Sequence, residues 1–158
     1  MKSSESRQQL VKHLMGGEAF IPIQDFIQEF PFEKLGERPP GLPYSFYEVF
    51  YHIRFTQKDI LDFCLADSYK TPNWPEAYWP DSAKPENEAA WEKLKEHYFQ
   101  ERDHFASFIL NKENKLQEPV KNARDQSLLR EIMLVVEHTA YHTGQLLVIS
   151  RLLGVYSG

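Results

Sequence analysis

Apolar positions along the chain recur mostly at three- and four-residue intervals, and polar or proline-rich stretches divide them into four helical segments. The first runs from about Ser4 to Phe30 and carries Leu10, Leu14, Phe20, Ile23, Phe26, Ile27 and Phe30. Gly16, Gly17 and Pro22 predict a kink or a short break inside it, because glycine weakens a helix and proline removes a backbone donor. Pro31 to Pro43 reads PFEKLGERPPGLP and cannot sustain a helix or a central strand. Ser45 then stands three residues before Glu48 in the spacing of a capping box, where each side chain satisfies an orphan backbone donor. A second helix is expected from there to about Ala66, with Phe46, Val49, Phe50, Ile53, Ile60, Leu61 and Cys64 on its core stripe and His52 at the edge.

Asp67 to Pro85 has no helical pattern and carries Trp74, Tyr78 and Trp79. Its aromatics argue against disorder, which leaves a lid or rim over a pocket, or a loop that covers one end of the core. A third helix follows over roughly Glu86 to Asn111, with Pro85 suited to its first turn and Trp91, Leu94, Tyr98, Phe105, Phe108 and Ile109 as its stripe. Asn111 to Gln126 is polar, contains Pro119, and must return the chain to the starting end. The last helix spans about Ser127 to Leu153, ~40 Å at 1.5 Å per residue. Its expected core side is Leu128, Leu129, Ile132, Met133, Val136, Leu146, Leu147 and Leu153, and Gly154 is placed to stop it. With no strand-like alternation, these segments predict an all-α fold, a four-helix bundle formed as a single domain over residues 1–158.

Composition narrows the setting. Hydrophobic residues at 42% and aromatics at 14% support a packed core, and no apolar run approaches a membrane span. The net charge of −5 comes from 18 basic and 23 acidic residues that are intermixed, so no basic stripe offers a footprint for nucleic acid. Neither nucleic acid nor membrane is expected as a partner. MKSSESRQQL lacks the apolar region of a secretory signal, and the lone Cys64 rules out an internal disulfide. Together these fit a cytoplasmic protein.

Candidate chemistry concentrates in EHTAYHTGQL, residues 137–146. His138 and His142 are four apart, which on a helix stacks two imidazoles on one face within reach of one metal ion, although such pairs also occur on solvated faces. His52 supplies a third neutral nitrogen from the second helix. Three such ligands leave coordination positions open, as in a catalytic site. His97, Glu101 and His104 also share a side of the third helix, but among Lys93, Lys95, Glu96, Gln100 and Arg102 they read as a solvated face. Glu101 and His104 match the Glu-x-x-His element of di-iron bundles, whose required second copy the fourth helix lacks. Glu131, Glu137 and Tyr141 are the candidate catalytic residues, with exposed-face roles explaining the last two equally well. Cys64, on a core stripe, reads as packing rather than as a nucleophile.

The segments LMGGEAFIP, GLPYSFYEVFYHIRFTQKDIL, NWPEAYWP and LLREIMLVVEHTAYHTGQLLVISRLLG, in that order, resemble the DinB-like family of small four-helix proteins over nearly the whole chain. One histidine on the second helix and His-x-x-x-His followed by Gly-Gln on the fourth carry the resemblance. It implies a divalent metal ion, zinc or nickel, held by His52, His138 and His142, and a homodimer. Glu137 stands where an aspartate is frequent in the family and Thr139 where an asparagine is frequent; neither is an implied ligand. Relatives include thiol-dependent S-transferases and a thiol-dependent isomerase, and many others are regarded as metal-dependent hydrolases. The resemblance therefore implies a small-molecule substrate and a low-molecular-weight thiol, with hydrolysis and a non-catalytic metal- or small-molecule-binding dimeric module as alternatives.

Overall fold

The computed structural model describes residues 2–156; the ends of the expected domain, residues 1, 157 and 158, lie outside them. Among the described residues the chain forms α1 (Lys2–Met15), α2 (Ile23–Ile27), α3 (Phe46–Leu65), α4 (Glu88–Leu110) and α5 (Leu128–Leu152). It forms no strand there, only an isolated bridge between Pro119 and Ser127. α3 packs chiefly on α5 and α4, while α1 lies against α4, so the all-α bundle expected from the pattern is the one observed. None of these helices is long and apolar enough to cross a membrane.

Local chemistry sets the helix ends. The Ser45–Glu48 capping box is complete: Ser45 accepts from the Glu48 amide at 3.2 Å and Glu48 accepts from the Ser45 amide at 2.7 Å. Arg38 adds a second grip on the Glu48 carboxylate at 2.9 Å. α4 begins two residues later than expected, because the Asn87 side chain accepts from Ala90 at 2.9 Å and supplies a cap; Pro85 therefore lies before the helix rather than in its first turn. The expected first helix is two helices. Gly16 and Gly17 adopt φ of +80° and +91°, which no right-handed helix accommodates, and the chain is irregular until Pro22 leads into α2.

The core face of α5 is the expected one at Leu128, Ile132, Leu146 and Leu153, all buried, and differs at the other four positions. Its buried stripe runs Leu128, Ile132, Val135, Thr139, His142, Leu146 and Ile149, alternating steps of four and three, whereas Met133 is 60% exposed and Leu129, Val136 and Leu147 only flank it. The apolar residues alone pointed to a rotated face because the true seam is interrupted by Thr139 and His142. That interruption has a counterpart on every long helix around it. One apolar cluster joins α2 to Phe46, Phe50, Trp91, Tyr98 and Leu146; another joins Leu14, Leu61, Phe105, Ile109 and Ile132. Between them lies a polar belt in which Gln57 donates to the Tyr98 carbonyl at 2.9 Å, Arg54 pairs with Glu101, and the Thr143 hydroxyl donates to the Thr139 carbonyl at 2.7 Å.

Removing the α3 cap tests this account of the helix start. Ser45→Ala is expected to lower the unfolding free energy by about 1–2 kcal/mol in denaturant titrations. Burial alone would raise the Glu48 carboxyl, but Arg38 and Ser45 together hold it below its ordinary value of 4.5. A depressed folded value means stability that is present above the unfolded pKa and is lost as pH falls through the folded one. Wild type should therefore exceed Glu48→Gln in stability at neutral pH, and the gap should close on acidification below the ordinary carboxylate range; a gap unchanged at about pH 3 would contradict the assignment.

Candidate metal centre

The polar belt opens on one flank, where α3 faces α5. His52 projects from α3, two turns after its cap, and His138 and His142 from successive turns of α5. The donor atoms of the three all lie within 4.8 Å of one another, and the Nε2 atoms of His52 and His138 are 3.0 Å apart. A tetrahedral ion with bonds of about 2.0–2.1 Å sets its nitrogen ligands ~3.3 Å apart, so small side-chain adjustments suffice to close such a set. His52 and His142 are buried and His138 partly so.

Neighbouring groups decide which nitrogen each ring offers. His52 Nδ1 lies 3.1 Å from the Tyr78 carbonyl, which can only accept, so the ring hydrogen is on Nδ1 and Nε2 carries the free lone pair. His142 Nδ1 is likewise 2.5 Å from the Gln145 side-chain oxygen. Gln145 is held in that orientation because its amide nitrogen donates to the Tyr44 hydroxyl at 3.1 Å. Burial pushes the His52 pKa down to about 4, with the Tyr78 carbonyl pulling upward and His142 adding a further lowering. Burial and then the neighbouring His142 and His52 take His138 to about 3. His142 is also lowered by burial, against the pull of Gln145. All three are neutral at pH 7, the state in which an imidazole can donate a lone pair to a metal.

The aromatic loop lies over this site. Trp79 stacks face to face on His52, with centroids 4.2 Å apart and planes 1° from parallel, and Trp74 and Tyr78 stand 6.4 Å and 6.3 Å from the same ring. Of the two readings of residues 67–85, the wall over a pocket is therefore the one realised. Asp59 fastens the loop to α3, accepting from the Tyr78 hydroxyl at 2.5 Å and the Tyr69 hydroxyl at 2.9 Å. The pocket encloses about 520 Å³, within the size range of small-molecule sites. The three histidines, Trp74, Trp79 and Leu134 line it, with Glu137 and Tyr141 on its α5 side.

The candidate residues divide. Glu137 and Tyr141 border the pocket, whereas Glu131 is buried beside Arg130 at 2.6 Å and is not part of the lining. Glu101 is committed to Arg54, and neither His97 nor His104 joins it in a cluster; His52, His138 and His142 make the one group of three or more potential metal donors among the described residues. Cys64 is buried in the core and its thiol is pushed up to about 12 by burial, with Glu131 adding to the rise, so it is no thiolate at neutral pH. Sequence reasoning missed the Tyr78 carbonyl and Tyr44, and marked Gln145 only as part of the Gly-Gln that follows His142, without its role. Gln145 left a trace, being three residues after His142 and so on the same helix face; a carbonyl contact from a loop leaves none.

No curated protein and no solved structure matches the chain. A sequence model of the DinB superfamily does, over residues 23–146, a span that begins at α2 and includes all three histidines, the aromatic loop and Gln145. By that match, and by the all-helical fold that bears it out, the chain belongs to the DinB superfamily.

Proposed function

We propose that His52, His138 and His142 hold one divalent metal ion, zinc or nickel, and that the pocket beside them carries out a metal-dependent reaction of the thiol S-transferase type. The observation that carries the metal reading is the convergence of three neutral imidazoles from two helices, two of them with the far ring nitrogen tied to an acceptor. Orienting contacts of that kind are the usual accompaniment of metal-ligating histidines. Once bound, such an ion lowers the pKa of a thiol or of water and so supplies a nucleophile at neutral pH.

The chain's own residues then have distinct tasks. The three imidazoles bring no negative charge, which leaves the ion's double positive charge to attract an anionic thiolate. Tyr78 and Gln145 keep the rings from rotating, while Trp74 and Trp79 restrict water and offer an apolar wall to a substrate. Glu137 and Tyr141 are the titratable groups on the rim, apart from the histidines themselves, and are the candidates for moving a proton. Glu137 also favours a second reading, hydrolysis, because a rim carboxylate is a suitable base for water. We read the protein as a homodimer, supported by an outward face of α5 where Val148 and Leu152 are 48% and 56% exposed and Gly144 has open space at its Cβ position; the lone Cys64, in no disulfide, fits a cytoplasmic setting.

Metal analysis of purified protein is expected to give one zinc or nickel per chain. His52→Ala, His138→Ala and His142→Ala should each lose it, and Gln145→Ala should weaken binding by about 10–100-fold, as expected for a lost orienting partner. Unchanged affinity in all three histidine variants would refute the metal assignment. For the reaction, a small thiol such as 2-mercaptoethanol should shift the visible spectrum of the cobalt-substituted protein at neutral pH. Cleavage of an ester or amide with no response to thiols would decide for hydrolysis.

A further inference from the structure

Beyond the histidine pocket, the surface of α5 carries a second depression of about 340 Å³. The two share Leu134 and Glu137 as lining residues, so they adjoin, the second lying toward the N-terminus of α5. Leu129, Met133 and Leu134 give this extension an apolar floor, and Met133 is 60% exposed there although it is a large apolar side chain. Arg130 lines this extension together with Ser127, on the side away from the histidines along the sequence of α5. One arm of its guanidinium, Nη1, is spent on the buried Glu131 at 2.6 Å; the side chain is otherwise 54% exposed. A planar group so placed keeps N–H donors free for a carboxylate or phosphate.

We propose that pocket and extension form one cleft for an elongated substrate, with its reactive end at the histidines, its apolar body over Leu134 and Met133, and an anionic group at its far end read by Arg130. The reading deepens the metal-dependent function above and rests on it for what anchors the near end. Eight residues separate Arg130 from His138, ~12 Å of helix at 1.5 Å per residue, so the substrate must be long enough to cover a distance of that order. Glu137 borders both halves of the cleft and is exposed. Glu137 stands one residue before His138 and seven after Arg130, so its carboxylate repels an anion from the histidine end of the extension and leaves Arg130 as the station for it. Arg130 is here a specificity-determining residue, and it takes no part in the chemistry.

The test compares two probes of equal length and different ends, 8-mercaptooctanoate and 8-mercaptooctan-1-ol, titrated into zinc-loaded protein by calorimetry after its metal content has been measured. The acid is expected to bind at least about tenfold more tightly than the alcohol, with the preference shrinking as salt is raised. Arg130→Gln should abolish the preference and leave the alcohol's affinity unchanged; Arg130→Lys should restore part of it. The short acid 3-mercaptopropionate cannot reach Arg130 and should be indifferent to both substitutions. Equal binding of the long acid and alcohol to metal-loaded wild type overturns the proposal while the metal reading stands. Should the protein hold no metal, that reading fails instead, and octanoate against octan-1-ol, followed by the fluorescence of Trp74 and Trp79 in wild type and Arg130→Gln, still decides whether Arg130 selects an anion. If Arg130→Gln does not fold, the acid–alcohol comparison in wild type and in Arg130→Lys decides the matter.

Discussion

The contact between α3 and α5 is the constraint on which the rest depends. Two helices can bury polar side chains against each other only if every such group finds a partner, since an unpaired buried donor or acceptor costs on the order of 1–3 kcal/mol. Here the contact carries His52, Gln57, Thr139, His142 and Thr143, all buried. Gln57 and the Thr143 hydroxyl turn to backbone carbonyls, and the far sides of two imidazoles turn to Tyr78 and Gln145. What is left over is a set of ring nitrogens facing one another, and that remainder is the site. The apolar clusters on either side hold the helices at the separation that makes it possible.

Much of this was legible in the sequence, for a physical reason in each case. The Ser45–Glu48 cap is a local motif whose two hydrogen bonds depend on three residues of spacing and nothing else, and it formed as expected. His138 and His142 needed only the helical repeat to be stacked. The grouping of His52 with them follows from its place at the edge of a stripe in a bundle whose helices face one another, and the family resemblance agrees with it. The readings that differ from the structure do so for separate reasons. Met133 was assigned to the core because it is apolar, although the heptad seam passes through Thr139 and His142 instead. The kink or short break expected at Gly16, Gly17 and Pro22 is present, and the two positive-φ glycines make it a full separation of α1 from α2. Glu131 was named as a candidate for its helical register with His138, yet its carboxylate is buried beside Arg130, outside the pocket lining.

The polar belt also accounts for residues that first looked like a rival site. Glu101, which shares a helix side with His97 and His104, is drawn across to Arg54 on α3, and Arg102 reaches Gln24 at 3.2 Å. These long side chains tie α4 to α3 and to α2.

Asp59 gives the aromatic loop a property that its composition does not suggest. By accepting from both Tyr69 and Tyr78, one carboxylate pins the loop at two points to the same helix that bears His52. A loop of this length, left free, would lose much conformational entropy on closing over a ligand, and that loss would be subtracted from affinity. Fastened in this way, it has already lost that freedom on folding. The wall formed by Trp79 is preorganised, and ligands of different shape meet a fixed surface on the α3 side, so discrimination among them falls to the exposed, unfastened side chains of α5.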